Sequence, residues 1–152
     1  MVKVEASRTV NAAPDRVFAL ITDFERLPER FPARYRSVKV LQRSDGNGSN
    51  GSALVTVEED VTVAGREMHQ KTQHTLENGS VLRSEVIEGD AKGTVVEIRL
   101  APAGSGETRV DVSADLKLGK LGSMLGVFAK GRIKEGLDRM IGEFEAKARQ
   151  QR

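Results

Sequence analysis

Residues 119–149 read GKLGSMLGVFAKGRIKEGLDRMIGEFEAKAR, the longest stretch of the chain with a helical pattern. Apolar residues recur in it at steps of three and four, which places them on one face of an α-helix. These positions are Leu125, Phe128, Ala129, Ile133, Leu137, Met140, Ile141, Phe144 and Ala148. No second helix of similar length is predicted, so the apolar face is expected to lie on a sheet.

The sheet itself is predicted from a hydrophobic period of two, which is typical of half-buried strands. Asn78-Gly79, between two such segments, is a strong signal for a hairpin turn. The predicted strands cover residues 2–10, 35–43, 52–63, 67–76, 81–88, 94–100 and 108–118. Short loops between them favour antiparallel pairing and a curved sheet, with the last helix along its concave side.

Two short helices are predicted between the first and second strands. Pro14 stands where a helix begins, because its missing N–H has no partner at that position anyway. Asp23 can cap a second helix, FERLPERFP, which Pro28 interrupts and Pro32 ends. The predicted fold class is therefore α+β, and a single domain spanning residues 1–152 is expected.

Composition excludes several classes of protein. There is no cysteine, so disulfides, thiol catalysis and cysteine metal sites are ruled out. The net charge of +2 is too small to indicate nucleic-acid binding, and none is expected. No apolar segment reaches the length of a membrane span or has the pattern of a signal peptide. A cytoplasmic location is expected.

The order of elements, with DRVFALITDFERLPERFP after the first strand and TRVDVSADLKLGKLGSMLG before the last helix, resembles the START-like (SRPBCC) superfamily. Residues 13–18 and 23–28 resemble its polyketide cyclase and coenzyme Q-binding branch. The junction at residues 118–121 is also similar to small proteins associated with carbon monoxide dehydrogenase. The resemblance implies the helix-grip fold: a curved seven-stranded antiparallel sheet around a long C-terminal helix, with two short helices after the first strand.

This fold places a cavity between the sheet and the long helix, and its wall is expected to be apolar. The predicted wall residues are Phe24, Leu27, Phe31, Val55, Val57, Val96, Ile98, Val112, Ala114, Leu116, Leu121, Met124, Leu125 and Phe128. The expected ligand is a small hydrophobic molecule such as a lipid, an isoprenoid or quinone, or a polyketide-like compound. No cofactor is expected.

Three polar residues are candidates for orienting the polar end of that ligand: Glu59, His74 and Arg83. Glu59 is in phase with the valines of its strand, so alternation turns it inward. It is either a ligand anchor or general base, or a structural partner of an arginine, or it returns to water through a bulge. His69 and His74 point to opposite faces, so they do not share a metal, and no metal site is predicted.

The loop GNGSNG at residues 46–51 has the spacing of a dinucleotide-binding loop, but a strand follows it rather than a helix, which favours a plain hairpin loop. Basic residues gather near the expected cavity mouth, and they are either solvated surface or a rim for transient contact with a membrane surface or a protein partner. They are Arg26, Arg30, Arg34, Arg36, Lys117, Lys120, Lys130 and Arg132. A monomer or weak dimer is expected.

Glycines in the last helix are the least usual feature, because each interior glycine costs about 0.5–1 kcal/mol relative to alanine. They are Gly119, Gly122, Gly126, Gly131, Gly136 and Gly142. They allow either close approach to the sheet or room and flexibility beside a ligand. Three functions stay open: ligand binding or carriage, which is favoured, a cyclase or dehydratase, and a protein- or ribosome-binding module.

Overall fold

A computed structural model of the chain describes residues 2–44, 52–63, 66–117 and 120–150, with the backbone alone at residues 2, 63, 120–130 and 132. The elements are β1 (Val2–Val10), α1 (Pro14–Ile21), a 3-10 turn (Phe24–Arg26), α2 (Leu27–Arg30), β2 (Tyr35–Ser44), β3 (Ser52–Val63), β4 (Arg66–Glu77), β5 (Val81–Glu88), β6 (Val95–Gly104), β7 (Glu107–Leu116) and α3 (Lys120–Gln150).

The strands form one seven-stranded sheet in the order β1-β7-β6-β5-β4-β3-β2, and every neighbouring pair is antiparallel. The segment with α1 and α2 carries the chain from one edge of the sheet to the other. Strands β2 to β7 then follow as consecutive hairpins, and β7 closes on β1. The α+β helix-grip fold predicted from the sequence is thereby confirmed.

The turn between β4 and β5 is formed by Asn78 and Gly79, whose φ angles are 51° and 66°. Positive φ at both central residues is typical of a type I′ turn, whose twist matches that of the strands. The backbone N–H of Ser80 closes the turn on the carbonyl of Glu77 at 3.0 Å. This turn fixes the pairing of β4 with β5, as predicted.

Two local predictions need correction. Strand β6 continues to Gly104 rather than ending at Leu100, so the loop between β6 and β7 shrinks to Ser105 and Gly106. Pro102 is accommodated there because the register shifts between Pro102 and Gly104, a bulge that tolerates a missing donor. Pro28 does not interrupt a helix, since it lies in the first turn of α2 after the 3-10 turn.

The core lies between the inner face of the sheet and the helices α1 and α3. Helix α3 contacts β1 and α1. Its second half contributes Ile141, Phe144 and Ala148, each with no more than 5% of its surface exposed. Phe144 meets the ring of Phe31 edge-on at 5.5 Å between centroids. The apolar stripe predicted for this half of the helix is therefore confirmed.

Two of the three glycines of α3 whose surroundings are described do not mark close contacts. A Cβ built on Gly131 or Gly136 meets nothing within 4 Å, so close approach to the sheet does not explain either residue. A Cβ on Gly142 would lie 3.0 Å from the Arg8 guanidinium, the flexible end of a side chain. Gly119, Gly122 and Gly126 lie outside the residues whose surroundings are described.

Replacing Gly131 by alanine should raise the free energy of unfolding by about 0.8–1 kcal/mol, because alanine loses less backbone entropy in an open helical position. Gly89→Ala is the matched control with the opposite sign. Gly89 has φ of +118°, and its Cβ would lie 2.8 Å from the carbonyl oxygen of His69. It should destabilise by about 1–3 kcal/mol. Urea unfolding curves measure both, and a destabilised Gly131→Ala variant would contradict the account of α3.

Candidate functional site

The inner faces of β3 and β4 bring polar side chains into an otherwise apolar interior. Along β3, alternation turns Val55, Val57, Glu59 and Val61 inward, and all four are buried. Glu59 itself is 4% exposed. The strand keeps its regular pairing with β4 through this stretch, so no bulge returns the carboxyl group to solvent.

The carboxyl group of Glu59 is held by two side chains of β4. Thr72 Oγ1 donates to Glu59 Oε1 at 2.8 Å, and Gln70 Nε2 donates to the same oxygen at 3.0 Å. Burial raises the pKa of Glu59, and these two hydrogen bonds offset the rise only in part. Within the described part of the chain, neither an arginine nor any other donor engages Oε2. The alternative of a structural arginine–Glu59 pair finds no support there.

Tyr35, at the start of β2, lies close enough to Glu59 to feel its charge. Burial raises the pKa of the Tyr35 phenol, and the Glu59 carboxylate raises it further, while the Arg34 guanidinium acts in the opposite direction. The phenol therefore stays protonated at any physiological pH and presents a neutral O–H group.

His74 is buried on the same inner face, with 7% of its surface exposed. Its ring stacks on Phe24 at 4.2 Å between centroids and an interplanar angle of 15°. Nδ1 lies 2.6 Å from Ser84 Oγ. Burial lowers the pKa of His74 to about 3, so the ring is neutral near pH 7.

The other ring nitrogen of His74 is the one anomaly of this interior. Nε2 is buried and has no hydrogen-bond partner among the described residues. A buried polar atom without a partner costs about 1–3 kcal/mol, so native structures rarely keep one without a reason. This atom is closed to solvent, so a ligand would reach it only after the side chains that cover it move.

Glu59 Oε2 and His74 Nε2, which have no partner among the described residues, belong to side chains spaced along one strand pair. Glu59 is opposite Gln70 in the register, while His74 lies four residues further along β4, about 13 Å at 3.3 Å per residue. Thr72 stands between them, and the Glu59 side chain reaches towards it. The interior thus carries a polar row of Glu59, Thr72 and His74 flanked by valines.

The structure brings most of the predicted wall residues to the same interior. Val96 is partly buried there, and nine others are buried: Phe24, Leu27, Phe31, Val55, Val57, Ile98, Val112, Ala114 and Leu116. The side chains of Leu121, Met124, Leu125 and Phe128 lie outside the described residues. Because these four would border the predicted cavity, its shape stays a prediction.

Arg83 does not join this interior. It is exposed, on the face of β5 opposite to Leu82 and Val86, which are buried. The period of two along β5 separates these positions, so Arg83 cannot reach the row of Glu59, Thr72 and His74. Sequence reasoning missed Tyr35 and Ser84 as neighbours of Glu59 and His74. Ser84 follows from the same alternation, whereas Tyr35 depends on the pairing register of β2.

His69 lies on the opposite face of β4 and is exposed, as predicted from the odd spacing between the two histidines. Its Nδ1 lies 2.6 Å from Asp60 Oδ1. This contact raises the pKa of His69 and lowers the pKa of Asp60. Over the part of the chain that the structure describes, no group of three or more histidine or acidic residues is placed to hold a metal ion.

The arginines of the expected basic rim are engaged by carboxylates. Arg34 donates through Nε to Glu143 at 3.0 Å and through a terminal nitrogen to the Gly136 carbonyl at 3.0 Å. The others pair as Arg26 with Asp23, Arg30 with Asp23, and Arg36 with Glu67. These pairs reduce the net positive charge that the rim can offer to a partner. Lys120, Lys130 and Arg132 lie outside the side chains that are described.

Open clefts on the described surface lie elsewhere. The larger, of about 910 Å³, runs over β1, β6 and β7 and is lined by charged residues including Glu97, Arg99 and Asp111. Of the predicted wall residues it shares only Val112. A smaller cleft of about 330 Å³ lies beside Asn11 and Ala148. Neither has the apolar lining expected for a hydrophobic ligand.

Comparison with known families finds a match over nearly the whole chain. A family model described as "Polyketide cyclase / dehydrase and lipid transport" matches residues 1–145. The chain belongs to this family. No helix among the described residues is long and apolar enough to cross a membrane.

Several solved structures of other proteins have the same fold. A START superfamily protein from Mycobacterium smegmatis superposes with a TM-score of 0.76 at 19% identity, covering 97% of both chains. The Zhui aromatase/cyclase from Streptomyces sp. R1128 gives 0.75 at 18% identity, covering 97% of this chain and 93% of that one. Norcoclaurine synthase from Thalictrum flavum, in complex with dopamine and hydroxybenzaldehyde, gives 0.64 at 16% identity, covering 99% and 88%. No curated protein sequence matches.

Replacing His74 by phenylalanine should make the free energy of unfolding depend less on pH between about pH 3 and pH 6.5. The unfolded state takes up a proton near pH 6.5, whereas the folded state resists until about pH 3, so stability is lost as pH falls through this window. The wild type should lose up to about 1.4 kcal/mol per pH unit more than the variant there. Glu59 acts with the opposite sign, because its raised pKa favours the folded state at low pH, but it is common to both proteins.

Chemical denaturation at a series of pH values measures this difference. His69→Phe is the matched control, because His69 is on the same strand but exposed, with a raised pKa. Equal slopes for the wild type and His74→Phe would show that the His74 ring is not held neutral by burial.

Proposed function

We propose that the protein binds or carries a small hydrophobic ligand in a cavity between the sheet and α3. The apolar body of the ligand contacts the predicted wall residues, and its polar end lies against His74, with Glu59 further along the same face. The observation that carries the proposal is His74 Nε2, a buried polar atom with no partner among the described residues. A bound hydroxyl or carbonyl group would supply the missing hydrogen bond.

The arrangement of β3, β4 and β5 supports this role for His74. Phe24 fixes one face of the ring by stacking, and Ser84 fixes Nδ1, so Nε2 can point in only one direction. A ring held at two points is pre-organised, which lowers the entropy lost on binding. The family described as "Polyketide cyclase / dehydrase and lipid transport" supports a hydrophobic ligand class.

Access to this site requires motion of the side chains that cover it. The first half of α3 is the segment through which we propose that the ligand enters, because the second half is anchored in the core by Ile141, Phe144 and Ala148. Gly131 adds to this, since a glycine without a packing role weakens a helix locally. The cytoplasmic location expected from the sequence stays a prediction.

A second candidate is a cyclase or dehydratase that uses Glu59 as general acid or base. The raised pKa of Glu59 supports it, because burial favours the protonated carboxyl group, which can donate its proton to a leaving hydroxyl. The protonated phenol of Tyr35 nearby is a further donor. Turnover of a polyketide-like chain that is abolished by Glu59→Gln would favour the enzyme over the carrier.

Native mass spectrometry of the purified protein, followed by organic extraction, tests for a co-purified hydrophobic molecule. Calorimetric titration with decanol then tests the site. His74→Phe should weaken decanol binding about fivefold to tenfold, because the net worth of one hydrogen bond is about 1 kcal/mol. His69→Phe should leave binding unchanged.

The proposal fails if no hydrophobic molecule co-purifies and decanol shows no saturable binding. It also fails as a statement about this site if His69→Phe and His74→Phe weaken decanol binding equally, since the exposed histidine has no access to the interior. Circular dichroism of both variants shows whether the fold is retained.

A further inference from the structure

We propose that the polar end of the bound molecule is an uncharged hydroxyl, as in an alcohol or phenol, and that carboxylates, phosphates and ammonium groups are excluded. This rests on the proposed function and names the class of ligand that the same site takes. It follows from the charge and hydrogen-bonding inventory of the interior.

The buried residues whose side chains the structure describes offer no cation to an anionic ligand. Among the described residues, the buried polar side chains are Glu59, Thr72, His74, Thr94 and Thr108, and none of these is a lysine or arginine. Arg34, the arginine next to the row, already bonds Glu143 and the Gly136 carbonyl. A buried anion without a paired cation is strongly disfavoured.

A cationic ligand is disfavoured by the state of Glu59. One carboxyl oxygen already accepts two hydrogen bonds, so Oε2 alone would face an ammonium group. A buried ion pair repays the loss of hydration only when the remaining donors are satisfied as well. The direction of the Glu59 pKa shift agrees, because burial favours the neutral carboxyl form.

A hydroxyl group fits both hydrogen-bonding states of His74. If Ser84 donates to Nδ1, then Nε2 carries the proton and donates to the ligand oxygen. If Nδ1 donates to Ser84, then Nε2 accepts from the ligand O–H. A hydroxyl serves either state, whereas a carbonyl oxygen serves only the first. Gln70 and Tyr35 flank the row with neutral groups and leave the match unchanged.

Calorimetric titration of the wild type with decanol, decanoate and decylamine at neutral pH tests the inference, because the three share one chain and differ in head-group charge. Decanol should bind at least about tenfold more tightly than either charged compound. Equal or tighter binding of decanoate or decylamine would overturn the uncharged class while leaving the proposed function standing. Absence of binding by all three would count against the proposed function itself.

Glu59→Gln provides the matched variant, because the amide keeps the shape of the side chain and removes its ionisation. Decylamine should bind as weakly to this variant as to the wild type, because no ionised carboxylate pairs with its ammonium group. If wild-type binding of decylamine is tight and is lost in Glu59→Gln, an ionised anchor exists and the inference is wrong.

Nitrogen NMR of the histidine rings gives a readout on the unmodified protein. Saturation with decanol should shift the Nε2 resonance of His74, since a new hydrogen bond forms there, and should leave His69 unchanged. The His74 ring should stay neutral throughout. Protonation of His74 on addition of decanoate would show that the site adapts to an anion and would overturn the inference.

Discussion

The packing of the second half of α3 on the sheet is the contact on which the rest of the structure depends. Ile141, Phe144 and Ala148 are buried where α3 packs on β1 and α1, and without them this part of the core would lie in water. Burying a single large apolar side chain contributes about 1.5–3 kcal/mol, so these few residues decide whether the layer between helix and sheet is dry.

In a dry layer, burial changes which protonation state of a polar side chain is favoured. Glu59 and His74 would be unremarkable on a surface, but burial moves the pKa of each towards its neutral form. Glu59 is partly compensated by Thr72 and Gln70, whereas one nitrogen of His74 is left open. An unpartnered buried polar atom weakens a core, and the proposed ligand would supply the partner that His74 Nε2 does not find among the described residues.

The fold was predictable from sequence because each element has a strong period, and the inward direction of Glu59 followed from alternation with its valines. The same alternation should have excluded Arg83, which shares its face with Glu85 rather than with Leu82. The donors to Glu59 were not predictable, since they depend on the register between two strands. The proximity of Tyr35 to Glu59 was not predictable either, because the register between β2 and β3 shifts directly after Tyr35.

The place of β1 has a consequence for synthesis of the chain. Strand β1 is made before the other strands of the sheet, whereas its partner β7 is made after them. The two are far apart in sequence, as the pairing of Val4 with Ala114 shows. Loop closure over such a separation is slow, and until it occurs β1 has no neighbour in the sheet. An unpaired strand with a valine face is a template for pairing between chains. The nascent protein is thus most exposed to aggregation just before its last strand leaves the ribosome.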